Sequence, residues 1–382
     1  MLSVKDLVMM IDQKLNHWFN DVMSYFIFHL KRLDWVLMAT SFALTGIGLL
    51  FIYSSSGVDF LNFHKQLIFF SIAVFLLFLF SFFDWRALKE DPFFILALYF
   101  LCVASLLGLL LFAPETRGIR GWYKLGPISI DPIEFTKIVL VILLAKYFSN
   151  RHVEMYRIRH ILLSGAYVFI PALLVFLQPD MGAVFILVAL WIGVLIVSGI
   201  KLKHFIIICL VGLLIACSGW SFLLQDYQKE RITSFAYPID PLGSSWSQNQ
   251  SKIAIGSGGL LGQGIGSGSQ TQYGFLTEPQ TDFIFASIAE EAGLLGIIVV
   301  FSLFLLLIWR IVIIAMSSKG NFPRLFASGF VIILIAQIFI HIGMNLGLLP
   351  VIGIPLPFIS YGGSGLIAIF ITLGILQSIK VH

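Results

Sequence analysis

The sequence predicts an all-α, polytopic membrane protein with about ten transmembrane helices, both ends in the cytoplasm and a large extracytoplasmic loop between spans 7 and 8. Three observations carry that prediction. Hydrophobic residues make up 59% of the 382 residues, charged residues 12%, and the mean hydropathy is +0.97, which excludes a water-soluble globule with a polar surface. Apolar windows of roughly the 20 residues that a helix needs to cross a bilayer recur along the chain. When alternate loops are assigned to one face, sixteen of the 24 Lys and Arg fall inside, seven fall outside and Lys137 lies within a span. By the positive-inside rule that asymmetry orients the chain N-in and C-in.

The elements follow in order. Residues 1–33 carry Lys5, Asp6, Asp12, Lys14 and Asp21 among apolar residues, with no separate apolar core or small-residue cleavage site, so they read as an amphipathic segment on the cytoplasmic surface or as a disordered leader. Residues 34–382 form the membrane domain. Its spans are expected near 35–54, 64–83, 92–113, 134–149, 161–177, 182–200, 204–224, 284–315, 325–344 and 364–380. Arg86 and Lys89, then Arg151, Arg157 and Arg159, then Lys201 and Lys203, and finally Arg310 and Arg324 mark the inner connections. Cys102, Cys209 and Cys217 fall inside apolar windows, where they read as small buried hydrophobes and suggest neither a disulfide framework nor a metal cluster. The net charge of +4 follows the topology and gives no reason to expect a nucleic-acid partner.

Three outer loops are longer than a tight turn, at 114–133, 225–281 and 345–363, so chemistry is sought on the extracytoplasmic face. The longest contains DYQKERITSF (Asp226–Phe235), which includes Arg231, and a glycine-rich run, Gln248–Gln272, which includes Lys252. That run lacks the ending of a Walker loop and follows no strand. Its glycines are expected to bring backbone close to a membrane surface or ligand, or to pack a re-entrant hairpin on the bundle.

Asp282 closes the loop. Beside Thr281 it stands near a helix N-terminus, either as a simple cap or as a carboxylate able to accept a proton or hold a divalent cation. Glu290 and Glu291 lie two turns deeper, about 12 Å along the helix, and must pair with arginine, lysine or hydroxyl donors. Glu134 and Lys137 share one helix face as an ion pair. Outward Arg117, Arg120 and Lys124 suit an anionic head group such as a pyrophosphate. QPDMG holds Asp180 in a short outer turn. Asn345–Gly365 is apolar but broken by prolines and glycines, so it is expected as a re-entrant floor or gate that is covered by protein or lines a cavity.

Taken together, TDFIFASIAEE, QSKIAIGSGG, QPDMG and GIPLPFISYGG resemble, in content and order, the SEDS family of cell-wall polymerases, the group of RodA, FtsW and SpoVE. The likeness runs from about Asp34 to the end of the chain, and DYQKERI and SGSQTQYGFLTEPQTDF lean towards the RodA branch. Three departures stand out. Gln280 replaces a common histidine, Asp131-Pro132-Ile133-Glu134 replaces a common QPSE, and Gly121 replaces the arginine usual before the tryptophan, with Arg120 one place earlier.

The resemblance implies a peptidoglycan glycosyltransferase of the bacterial cytoplasmic membrane that polymerises lipid II for elongation and cell shape, its active face extracytoplasmic. It implies Asp282 as general base, with Arg120, Glu134, Lys137, Arg231 and Lys252 around the substrate and Asp180, Glu290 and Glu291 in support. It further implies a divalent cation, Mg or Mn, with Asp282 as candidate ligand, no organic cofactor, a lateral groove for the polyprenyl tail in membrane lipid, and a class B penicillin-binding protein as partner. The alternatives are a lipid II flippase, an FtsW-like division polymerase and a scaffold without chemistry.

Overall fold

The computed structural model describes residues 23–24, 26–57, 59–115, 119–126, 128–149, 158–222, 229, 233–235 and 245–382. Most of the N-terminal amphipathic segment and most of DYQKERITSF, Arg231 included, lie outside the described residues, as does Arg117.

The helices are α1 (Trp35–Ser54), α2 (Leu61–Phe82), α3 (Arg86–Glu90), α4 (Pro92–Phe112), α5 (Pro132–Ser149), α6 (Ile158–Leu177), α7 (Met181–Val197), α8 (Leu202–Phe222), α9 (Trp246–Ser257), α10 (Ser269–Gln272), α11 (Ile284–Ser317), α12 (Asn321–Leu346) and α13 (Gly363–Val381). One antiparallel hairpin, β1 (Tyr123–Leu125) with β2 (Ile128–Ile130), occupies the first long outer loop, Lys124 opposite Ser129.

Among the described residues eight helices are long and apolar enough to cross a membrane: α1, α2, α4, α6, α8, α11, α12 and α13. The other two apolar windows also form helices. One is α7, with 17 residues. The other is α5, with 18 residues and with Glu134, Lys137 and Lys146 along it. Helix α5 is buried over nearly its whole length, packed between α4 and α12 with α13 alongside. That position accounts for its charges, since a charged side chain in a span is tolerated when it faces protein.

Helix α13 packs along α2, α11 along α1, and α12 against α5, α7 and α11. At one end of the bundle a buried carboxylate ties three helices together. Asp34 caps α1 by accepting from the Leu37 N–H (3.0 Å), and receives Arg310 of α11 through Nε (3.2 Å) and Nη2, and Lys380 of α13 at 3.0 Å. Gln377 brackets the Asp34 backbone, accepting from its N–H at 2.7 Å and donating to its carbonyl at 3.0 Å. Burial alone would raise the Asp34 pKa, but Arg310, the Leu37 N–H and Lys380 outweigh it and hold the carboxyl below its ordinary value.

Helix α8 contrasts with the rest, with little of its surface covered. Cys209 and Cys217 are exposed there, and only Cys102 is buried. The expectation that all three cysteines are buried fails for those two, because apolar residues on a span can face lipid as readily as protein.

Candidate active site

The glycine-rich run turns out to be a splice into α11. That helix breaks at Gly293 (φ 63°, ψ −161°), which frees the carbonyls and N–H groups around the break. The loop supplies their partners. Gln263 and Gly264 donate to the Glu290 and Glu291 carbonyls (2.9 and 3.0 Å), while the Leu294 and Leu295 N–H groups donate to Gly259 and Leu260 (3.0 and 3.2 Å). A Cβ at Gly262 would stand 2.1 Å from the Glu291 carbonyl oxygen, and Gly262 has φ +79°, so glycine is required twice over. The close backbone approach expected of this loop is therefore to the bundle.

Glu290 and Glu291 join the same splice. Glu290 is wholly buried and accepts from the N–H groups of Gln270 (2.6 Å) and Thr271 (3.0 Å), the Thr271 hydroxyl (2.8 Å) and the Ser269 hydroxyl (3.3 Å). Glu291 accepts from Ser54 at the end of α1 and from Gln272 Nε2 (3.1 Å). Hydroxyl donors were expected and are present. Backbone N–H groups and a side-chain amide, rather than arginine or lysine, supply the remaining bonds.

Asp282 stands just before α11. The N-cap position belongs to Phe283, so Asp282 is not the simple helix cap that one reading allowed. Its backbone carbonyl accepts from Asn345 Nδ2 at 2.9 Å. Its half-buried carboxylate faces Gly353, where an added Cβ would lie 3.8 Å from Oδ2.

The proline-rich segment after α12 forms the opposite wall. It is non-helical from Gly347, φ +75°, to Gly362, and Ile354, Leu356, Phe358 and Ile359 are buried in it. Asn345 and Leu346, expected in this loop, belong instead to the last turn of α12. From Ile354 to Ser360 the segment is largely covered by protein, and it is held by polar bonds. The Ser360 hydroxyl donates to the Thr281 carbonyl (2.8 Å), the Tyr361 N–H to the Gln280 carbonyl (2.8 Å), and the Gly362 N–H to Gln66 Oε1 (3.2 Å). Gln280, the departure from histidine, accepts from Asn62 Nδ2 at 2.8 Å.

The same segment and the first turn of α13 that follows it reach most of the other expected residues. Lys252 of α9 is exposed and lies over Gly347. Glu134 lies against Gly365 and accepts from Lys137 Nζ at 2.7 Å, both side chains buried. Asp131 receives Ile133 N–H at 3.2 Å, and its own N–H donates to Ser364 Oγ at 2.9 Å. Asp180 caps α7 by accepting from Ala183 N–H (3.0 Å), and neighbouring Gly182 abuts Ile352 and Ile354. Arg120 stands apart. It is exposed, 3.6 Å from Glu115, and among the described residues it is linked inward through its N–H to the Gln178 carbonyl (3.4 Å).

Asp131, Glu134, Asp180 and Lys137 interact as a group of three carboxylates and one ammonium. Burial first, then the charges of Glu134 and Asp180, push the Asp131 carboxyl well above the usual carboxylate range, against Lys137 and the Ile133 N–H. Burial also raises Asp180, opposed by the Ala183 N–H and Lys137. A cavity of about 20 Å³ adjoins the ion pair, lined also by Gln337 and Thr372, and it has room for a single water.

Among the described residues no group of three or more His, Cys, Asp or Glu side chains is placed to hold a metal. Sequence reasoning gave no role to Asn345, Ser54, Thr271 or Ser360. They carry polar bonds around Asp282, Glu290 and Glu291, and as single polar residues at helix ends or in turns they leave no periodic signal.

Residues 34–382 match the family of cell cycle proteins that groups FtsW, RodA and SpoVE. This chain belongs to that family. It is 40% identical over 287 residues to the peptidoglycan glycosyltransferase MrdB of Escherichia coli K12, covering 75% of this chain and 77% of that one. To the stage V sporulation protein E of Bacillus subtilis it is 34% identical over 366 residues, covering 91% and 96%. Among solved structures, a chain of a peptidoglycan synthase complex that coordinates polymerization and crosslinking superposes with a TM-score of 0.77 at 28% identity, covering 91% of this chain and 97% of that one. The Rod shape determining protein RodA of Thermus thermophilus, solved as an aspartate-to-alanine mutant, gives 0.69 at 27%, with the same coverage. Like other SEDS proteins the chain is an all-α, multi-pass membrane protein.

Proposed function

We propose that the chain is a peptidoglycan glycosyltransferase of the RodA type, polymerising lipid II at the outer face of the bacterial cytoplasmic membrane, with Asp282 as its general base. The observation that carries the assignment of Asp282 is its placement. A half-buried carboxylate is fixed at the mouth of α11, faces an open glycine, and is bounded by a segment that runs on into α13, whose Gly365 borders Glu134 of the Glu134–Lys137 pair. Likeness to MrdB supports the reaction, and likeness to a rod shape determining protein supports the elongation role.

In this reading the acceptor-sugar hydroxyl gives its proton to Asp282 as its oxygen attacks the anomeric carbon, and the bond to the lipid pyrophosphate breaks. Single displacement with inversion needs no covalent sugar on the protein. Lys137, anchored by Glu134, and the exposed Lys252 and Arg120 are the described cations that favour negative charge on the departing pyrophosphate. Arg231 is assigned to the same task on the strength of its motif alone. A divalent ion arriving on the pyrophosphate is consistent with a single protein carboxylate, because Mg²⁺ is commonly held by one or two carboxylates plus substrate phosphates.

In this reading helices α5 and α7 join the eight longer helices as ten spans with both ends inside, and Asp282 lies on the outer face. The partner is a class B penicillin-binding protein, in keeping with the synthase complex that this chain resembles.

The test is lipid II polymerisation by the purified chain, with and without that partner and divalent cation, comparing wild type with folded Asp282→Asn. Glycan from wild type alone is the expected result. Equal glycan from both removes Asp282 as base, and none from either in any condition, with intact precursor moved across vesicles, makes the chain a flippase.

A further inference from the structure

We infer that Asn345 is a positioning residue, which holds the Asp282 turn in register with the opposite wall of the site. The inference rests on the reading of Asp282 as the base.

Helix α11 begins without a side-chain cap of its own, because Phe283 occupies the N-cap and offers no acceptor. The cap comes from α12. Asn345 Oδ1 accepts from the Ala286 N–H at 3.2 Å, and Nδ2 of the same amide donates to the Asp282 carbonyl at 2.9 Å and to the His341 carbonyl at 2.8 Å. Both ends of the amide are therefore committed. Rotating it by half a turn would set its NH₂ against the Ala286 N–H and its oxygen against two carbonyls, so the network fixes the orientation.

The side chain is wholly buried, and its own carbonyl receives the Ser251 hydroxyl of α9 at 2.9 Å. One turn earlier, His341 Nδ1 donates to the Ile354 carbonyl at 2.7 Å, next to the Gly353 that the Asp282 carboxylate faces. The last two turns of α12 thus grip both sides of the gap. Asn345 holds the backbone that carries the carboxylate, and His341 holds the backbone that the carboxylate faces. Nothing in this arrangement requires Asn345 to touch substrate. Its effect is on where the base sits, and a displacement of about 1 Å at a reacting group can cost on the order of a hundredfold in rate.

The two functions of the amide can be separated. Asn345→Asp keeps the shape and the acceptor for the Ala286 N–H, and a carboxylate suits a helix N-terminus, but it loses the donor to the Asp282 carbonyl. Asn345→Ala loses both. The experiment measures lipid II polymerisation by the full chain with its penicillin-binding partner, together with thermal unfolding and complex assembly. The variants are Asn345→Asp, Asn345→Ala and, as reference, Asp282→Asn.

Positioning predicts that both Asn345 variants fold and assemble, keep KM for lipid II within about twofold, and lose about ten- to hundredfold in kcat. Wild-type kcat in Asn345→Asp would reduce the residue to a helix cap and overturn the proposal. So would failure of both variants to fold or assemble, which would make the role structural only. Wild-type activity in Asp282→Asn would instead defeat the assignment of the base, an outcome separate from either of these.

Discussion

The Glu290 anchor gives the sharpest test of how the glycine-rich loop is held. Its carboxylate takes four hydrogen bonds, two per oxygen. Oε1 receives the Gln270 N–H and the Ser269 hydroxyl, and Oε2 receives the Thr271 N–H and the Thr271 hydroxyl. Glu290→Gln preserves volume but turns one oxygen into NH₂. Whichever oxygen is lost, a backbone N–H and a hydroxyl lose their acceptor, and the N–H then confronts another donor in a site closed to water.

Bonds to a charged acceptor contribute roughly 1.5–3 kcal/mol each, and an unsatisfied buried donor costs about 1–3 kcal/mol. The contributions overlap, so the expected loss is about 3–5 kcal/mol. Thr271→Val, which deletes only one hydroxyl, should cost about 1–2 kcal/mol. Denaturant unfolding of the purified protein in mild detergent measures both. The distinctive readout is hydrogen exchange, because releasing the loop exposes the Leu294 and Leu295 amides that bond to Gly259 and Leu260. A Glu290→Gln variant within 1 kcal/mol of wild type, with those amides still protected, would refute the reasoning.

Three further perturbations probe other parts of the site. Glu134→Gln strands Lys137 in a buried position and should cost about 3–5 kcal/mol, whereas the apolar pair Glu134→Leu/Lys137→Met should recover most of that stability but not polymerisation; unfolding and glycan assays run side by side separate the two effects. Gly262→Ala forces a side chain at φ +79° into the Glu291 carbonyl and should cost about 2–4 kcal/mol, read as faster proteolysis within 258–266. Asp131 keeps its proton in the folded chain to a higher pH than in the unfolded chain, so the native state binds more protons and stability falls as pH rises from about 3.9 through the raised folded value. Asp131→Asn should flatten that fall, and unfolding curves at pH 5 and pH 8 that change equally in wild type and variant would count against it.

The sequence by itself determined the class of fold and singled out the candidate positions that the structure gathers near Asp282 and Glu134. A chain with 59% hydrophobic residues has to bury its backbone polar groups in helices within a bilayer, and each apolar window became a helix. The Glu134–Lys137 pair followed from a spacing of three residues on one helix, and the interrupted apolar run after α12 followed from its prolines and glycines. Those signals are local, set by one element's own periodicity or backbone limits.

What only the tertiary structure decided is how elements distant in sequence share polar groups. That Glu290 is satisfied by a turn some twenty residues upstream, that the glycine run splices into the break at Gly293, and that Asn345 caps a helix from across the bundle all depend on which helix ends meet. Hydropathy is blind to such meetings. It places a residue within a helix, whereas a hydrogen bond needs its partner's position to within a few tenths of an ångström.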